Sequence, residues 1–296
     1  MKKFKGAITA IVTPFDAKGE IEEKSFRNLV EFQIKEGINA IVVCGSTGEA
    51  ATMERDEYEK AVSIVVSEVK KRVPVIAGAG SNDTKKAIEL SKIAKSQGVD
   101  ALLHVTPYYN KPTPTGLVAH FKAIAENSNL PVILYNVPGR TGQNVLPQTI
   151  LKVAKEVPQV IGVKEASGSI TQMMELVKNR PSYLSVLSGD DSLTFPLMSL
   201  GGDGCISVVS NEIPKEFSQM TAFALDKNWD KARKLHYLWL DLMDANFIET
   251  NPIPVKTALF LMGKIKESFR LPLVKMDEKN KEKLKAVLKS HGLIKK

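Results

Sequence analysis

Eight short apolar runs recur along the chain at a spacing of about 25 to 35 residues, with stretches of helical periodicity between them. They are AITAIVTPF near the N-terminus, AIVVCG (40–45), VPVIAGAG (73–80), ALLHVTPYY (101–109), PVILYNVP (131–138), VIGVKEA (160–166), LSVLSGDD (184–191) and GCISVVS (204–210). Runs this continuous belong to strands buried on both faces, which is the condition of a parallel sheet. The intervening segments, such as ERDEYEKAVSIVVSEVKKR and DTKKAIELSKIAKSQG, read as amphipathic helices. In the second, Asp83 is an N-cap candidate and Gly98 a C-cap candidate. Eight strand–helix units point to an α/β fold of the (β/α)8 TIM-barrel type, because open doubly wound sheets usually stop at five or six strands. The barrel is assigned to residues 1–225. Helical patterns through 229–246, after Pro254 and through 277–290 make residues 226–296 a C-terminal helical extension, not an independent domain.

Bulk properties narrow the function. A chain of 296 residues with 43% hydrophobic and 25% charged residues can bury a large core. No apolar stretch reaches the ~20 residues of a membrane span, so no membrane partner is expected. The opening MKKFKGAITAIVTPFD has the charge-then-apolar look of a signal peptide, but it breaks at Thr13-Pro14 and reads as a first strand. Cys44 and Cys205 offer neither a disulfide framework nor metal spacing and read as packed thiols, consistent with a cytoplasmic setting. The formal charge of +8 is concentrated at the C-terminus, with nine basic and three acidic residues from Arg270 onward. That segment has no aromatic residue to stack on bases, so it reads as a solvated lysine-rich helix and no nucleic-acid partner is expected.

In such barrels the reacting groups stand at the C-terminal ends of the strands. Read in order, those ends are Thr13-Pro14, GSTGE (45–49), GAGSN (78–82), TPYYN (106–110), YNVPGRTG (135–142), KEASG (164–168), SGDD (188–191) and SVVSN (207–211). They are rich in hydroxyls and glycines and poor in metal ligands. The four histidines lack paired spacing, and His104, inside an apolar run, reads as a satisfied core residue, so no metal is expected. GAGSND is no dinucleotide fingerprint, since Asp83 stands in the third glycine's place.

What remains is a lysine, Lys164, at the end of an apolar strand. An ordinary surface lysine is one reading; an amine nucleophile for a carbonyl substrate is the other. A free lysine, with pKa near 10.4, is only about 0.04% neutral amine at pH 7. The apolar VIGV preceding it would lower that pKa toward roughly 7 to 8. Carbinolamine dehydration also needs hydroxyls that relay protons. Taken singly, Tyr135 reads as a packing aromatic and Ser46 and Thr47 as caps of the next helix. At successive strand ends they reinforce one another.

GSTGE, TPYYNKP, YNVPGRTG, GVKEASG, LSGDD and NPIPVK together resemble, in order and spacing, the dihydrodipicolinate synthase family, from about Gly6 to the C-terminus. That family lies within the class I aldolases of N-acetylneuraminate lyase type, to which the Tyr135–Lys164 pair is common. The resemblance implies a lyase that condenses pyruvate with L-aspartate 4-semialdehyde, the 4-hydroxy-tetrahydrodipicolinate synthase reaction of diaminopimelate and lysine biosynthesis. It implies no external cofactor, a covalent Schiff base on Lys164, and Tyr135 as the acid/base phenol. Ser46 and Thr47 are similar to the residues that cradle the pyruvate carboxylate, with Ser46 in the proton relay. Tyr109 is similar to a tyrosine that reaches into a neighbouring subunit's site, in a homotetramer built as a dimer of dimers. Arg140 is similar to the arginine that captures the semialdehyde carboxylate. Gly189, Ile206 and Asn251 align with positions that line or support the pocket.

There are departures. Most members have threonine where Ser46 stands; serine keeps the hydroxyl but loses the methyl that restricts its rotamers. Members inhibited by lysine carry a glutamate where this chain has Lys86, and often histidines at Arg55 and Tyr58, while Asn82 and Tyr108 are kept. A cation facing the ammonium of lysine implies weak or absent inhibition. The rival activity is that of another class I aldolase acting on sialic acid or a 2-keto-3-deoxy sugar acid, against which Arg140 stands. A catalytically silent scaffold barrel is the rival of a different class.

Overall fold

The apolar runs form eight parallel strands that pair strictly in chain order. They are β1 (Gly6–Ala10), β2 (Ala40–Val43), β3 (Val75–Gly78), β4 (Ala101–Val105), β5 (Val132–Asn136), β6 (Val160–Glu165), β7 (Ser185–Ser188) and β8 (Gly204–Ser207). Closure comes from β1, which pairs with β2 on one side and β8 on the other. This computed structural model describes residues 3–295 and is the (β/α)8 barrel that the periodicity predicts.

Each strand sorts its side chains by parity. Ile8, Ala10, Ala40, Val42, Ile76, Leu103, Ile133, Tyr135, Leu187 and Ile206 fill the barrel interior. Their neighbours Ile41, Val43, Val75, Leu102, Leu134, Val163 and Val186 face outward into the larger core beneath the helices. Inside, bulky side chains such as Ile8, Ile76, Leu103 and Leu187 interleave with small ones such as Ala10 and Ala40, which lets eight strands close on a packed centre.

The helices are α1 (Glu23–Lys35), α2 (Arg55–Val69), α3 (Thr84–Ser96), α4 (Pro114–Ser128), α5 (Pro138–Thr141), α6 (Pro147–Glu156), α7 (Ile170–Asn179), α8 (Thr194–Ser199) and α9 (Pro214–Leu225), then α10 (Trp229–Ala245), α11 (Ile253–Leu261) and α12 (Glu278–Ser290). Asp83 caps α3 as expected, its carboxylate accepting from the Lys85 amide. Gly98 falls one residue beyond the cap Gln97 and takes the left-handed φ of 86° that ends the helix. The helix expected after Pro254 begins one residue earlier, with Pro254 in its first turn where no amide is needed. None of the helices among the described residues is long and apolar enough to cross a membrane.

Candidate active site

Lys164 and Tyr135 sit side by side because of one irregularity. Between β5 and β6 the register runs Val132↔Val160 and then jumps to Ile133↔Gly162, leaving Ile161 unpaired. Had the first register continued, Tyr135 would face Val163 and Lys164 would point outward. The extra residue of this bulge reverses the parity of β6, so that Lys164 pairs with Tyr135 on the interior face. The ammonium lies 4.3 Å from the centre of the Tyr135 ring. Lys164 is only 5% exposed, so it is not the surface lysine of the ordinary reading. Its stem passes directly over Gly189, where a Cβ would come within 3.0 Å of Lys164 Cε and 2.6 Å of Ala166 Cβ.

Behind this pair, on the outward face, Asn136 and Glu165 are also register partners. The fully buried Glu165 carboxylate accepts from Asn136 Nδ2 (3.2 Å), the Ser167 amide (2.7 Å) and Gln172 Nε2 (3.1 Å). Asn136 Oδ1 in turn accepts from the Val145 amide at 3.0 Å. The network ties the ends of β5 and β6 to α7 and to the loop after α5, and so holds the register that presents Tyr135 and Lys164. Nothing in the sequence singled out Glu165 or Asn136; the available signal was a carboxylate and an amide immediately following the two site residues.

The GSTGE turn lies across the barrel mouth. Cys44 and Glu49, at its two ends, both have left-handed φ of 55°. Gly78 is required against it, since a Cβ there would stand 2.2 Å from the Cys44 carbonyl oxygen. Helix α2 has its own capping box, Glu54 with Glu57, so Ser46 and Thr47 do not cap it. Thr47 is buried, and its hydroxyl accepts from Asn251 Nδ2 at 3.0 Å, which leaves its own proton free to donate elsewhere. Ser46 is exposed at the cavity wall.

The cavity, of about 370 Å³, is lined by Ser46, Thr47, Tyr135, Arg140 and Lys164 among others. Arg140 lies on α5, and its Nη2 donates to the Asn251 carbonyl at 2.9 Å. It has no carboxylate partner within 4.0 Å among the described residues, so most of its donors are available. Asn251 thus bridges Arg140 and Thr47 from just ahead of α11, a connection 204 residues long in sequence. Ile206 packs in the barrel interior with Tyr135.

Tyr109 is placed apart from this group. It is 90% exposed, with a left-handed φ of 69° on the loop after β4. Among the described residues no hydrogen bond joins it to Ser46 or Tyr135, so the expected hydroxyl relay is not closed within one chain. Lys86, Arg55, Tyr58 and Tyr108 line the same cavity, Tyr58 being buried, and Arg55 pairs with Glu89 at 3.2 Å.

The remaining polar candidates are structural. Both thiols are buried, and burial raises their pKa values well above the usual thiol range. His104 is a core residue, but one only half satisfied: Nε2 meets Ser91 Oγ at 3.2 Å, while Nδ1 has no partner.

Residues 3–291 match the Dihydrodipicolinate synthetase family. The 4-hydroxy-tetrahydrodipicolinate synthase of Maridesulfovibrio salexigens is 55% identical over 98% of this chain and 99% of its own. A crystal structure of the dihydrodipicolinate synthase from Thermotoga maritima superimposes with a TM-score of 0.97 at 48% identity, covering 99% of this chain and 100% of that one. The chloride-inhibited dihydrodipicolinate synthase from Acinetobacter baumannii, solved in complex with pyruvate, gives 0.96 at 45% identity over 98% and 99% of the two chains. An eight-stranded barrel with a buried lysine paired to a tyrosine, matched along nearly its whole length, places the chain: it belongs to the dihydrodipicolinate synthetase family.

Proposed function

We propose that this chain is a Schiff-base-forming lyase that condenses pyruvate with L-aspartate 4-semialdehyde, as the 4-hydroxy-tetrahydrodipicolinate synthases of its family do. The observation that carries this reading is the Tyr135–Lys164 register pair, which sets a buried amine 4.3 Å from a phenol ring inside a cavity. The Lys164 amine adds to the pyruvate ketone, and the carbinolamine loses water to give an iminium ion. Tyr135 carries the proton on and off the departing oxygen. Loss of a methyl proton then gives an enamine, whose carbon attacks the aldehyde. The semialdehyde's own amine attacks the imine carbon, closes the ring and releases Lys164. One water leaves per turnover, and lysine itself supplies the electron sink, so no external cofactor enters.

The pyruvate carboxylate falls to the GSTGE turn, where Thr47 has a free proton to donate and Ser46 offers a second hydroxyl. The semialdehyde carboxylate falls to Arg140, whose planar guanidinium suits bidentate capture. Arg140 favours this substrate over a sialic acid or sugar acid. Tyr109, exposed and conformationally strained, fits a residue completed by a second copy of the chain, in a homotetramer. Two buried, unpaired thiols support a cytoplasmic setting.

Borohydride reduction in the presence of pyruvate, followed by peptide mass mapping, tests the reading. A pyruvate adduct on Lys164 is expected. An adduct on another lysine, or none, refutes it.

A further inference from the structure

The turn that would cradle the carboxylate is held by a buried charge pair that the reaction itself does not use. Glu49, the last residue of GSTGE, is buried, and its Oε1 pairs with Lys256 Nζ of α11 across 207 positions of sequence. Lys256 is fully buried, with its ammonium 4.5 Å from the Phe15 ring centre and 5.1 Å from that of Phe269. The other carboxylate oxygen, Oε2, accepts from the Arg270 amide at 3.3 Å. The Arg270 guanidinium lies 4.3 Å from the Phe15 ring centre, ion-pairs with Glu57 and donates to the Thr52 carbonyl at 3.0 Å.

Glu49 also holds an uncommon backbone conformation. A side-chain-bearing residue in the left-handed region is disfavoured and persists only where its surroundings over-determine it. Here the Glu49 amide donates to the Ser46 carbonyl at 3.1 Å, closing the turn around Thr47. The Gly48 carbonyl accepts from Thr13 Oγ1 at 2.8 Å. The side chain then fixes the turn to the C-terminal extension at two points, Lys256 and Arg270. A buried ion pair is a poor source of net stability, because desolvation offsets the attraction; its cost is better accounted for by the geometry it imposes.

We infer that the Glu49–Lys256 pair is the positioning device of the carboxylate cradle, so that the C-terminal extension sets how tightly the site holds pyruvate. This rests on the functional reading above. The pair touches neither reacting atom; it acts through the backbone of residues 46–49. Loosening it should weaken capture of the carboxylate while leaving Lys164, Tyr135 and Arg140 on their own elements.

The test is to replace both charges by apolar side chains of similar length, in the double variant Glu49→Met and Lys256→Met, since removing a buried pair whole is often neutral for folding. The variant should melt near the parent temperature. Its half-saturating pyruvate concentration, read by borohydride trapping and by steady-state KM, should rise by about tenfold, the scale of one lost charged hydrogen bond. The rate at saturating pyruvate and the KM for semialdehyde should stay within about twofold. Unchanged half-saturation in a folded double variant overturns the inference. So does a fall in kcat and rise in both KM values together, which marks general loosening of the fold. Should the double variant not fold, Glu49→Gln, assayed where circular dichroism shows native signal, must give the same split, and its absence overturns the inference equally. A parent protein that traps pyruvate on Lys164 while the variants show no split condemns the positioning role alone. A parent that traps none condemns the functional reading with it.

Discussion

Replacing Gly189 by alanine tests whether the position of the Lys164 stem governs the chemistry. The added Cβ would lie 2.6 Å from Ala166 Cβ, 3.0 Å from Lys164 Cε and 3.2 Å from Lys164 Cγ. Carbon atoms rest at about 3.5–4.0 Å, so the deficit against Ala166 is close to 1 Å. Ala166 has no rotamer with which to retreat, and Gly189 is tied by its amide to the Glu165 carbonyl at 2.8 Å. Relieving that clash requires the backbone at residue 166 or 189 to shift. The Lys164 stem, itself short of room by about 0.5–1 Å at Cε, must yield as well, carrying with it the nitrogen proposed to react. Overpacking of this kind costs about 1–3 kcal/mol of stability. A displacement of about 1 Å at a reacting atom can cost a hundredfold in rate, close to 2.7 kcal/mol of barrier. The assay is the rate of borohydride trapping by pyruvate, beside kcat/KM for pyruvate and thermal unfolding. A roughly hundredfold slower trapping rate in a folded protein is expected. A variant that traps within about threefold of the parent would falsify the premise that Lys164 needs the space over Gly189.

Arg140→Ala should raise the KM for semialdehyde by about ten- to a hundredfold, the scale of a charged hydrogen bond, with a smaller effect on pyruvate; equal effects on both substrates would remove Arg140 from its assigned role. Lys86, Arg55 and Tyr58 in the cavity lining should make inhibition by free lysine weak or absent, and half-inhibition by submillimolar lysine in a standard rate assay would refute this. If Tyr109 completes a neighbour's site, a dissociated chain should be nearly inactive; fully active monomers seen by light scattering at assay concentration would sink that idea. Burial lowers the pKa of His104 to about 3 and of His120 to about 4, from about 6.5 in the unfolded chain. Between these values the unfolded state binds protons that the folded state does not, so stability present above about pH 6.5 is lost as the pH falls. The drop in melting temperature from about pH 7 to 5 should shrink in His104→Phe, and an unchanged drop would show that other groups carry it.

The barrel was legible because it is written locally. Each strand is a short apolar run and each helix carries its own signals, such as Asp83 capping α3, so counting units was enough to name the fold. Lys164, Tyr135, Ser46 and Thr47 could be picked out because each ends a strand or follows one, where a parallel barrel exposes its loops; Arg140 was reached only through the family resemblance. Gly98, by contrast, came one residue late, because a left-handed glycine stops a helix from just beyond its cap.

Orientation and long-range partnership were not legible. VIGVKEA is apolar on both faces, so no alternation reveals which way Lys164 points. The unpaired Ile161 decides that, and a bulge exists only relative to the strand beside it. The connections from Asn251 to Thr47 and from Lys256 to Glu49 span more than two hundred positions, and neither residue type announces a partner that far away. Periodicity and strand ends therefore settle which elements form and which residues reach the mouth of the barrel, since they depend on neighbours in sequence. The facing of the lysine, the half-satisfied histidine and the anchoring of the carboxylate turn depend on groups brought together by closure, and only the folded chain supplies them.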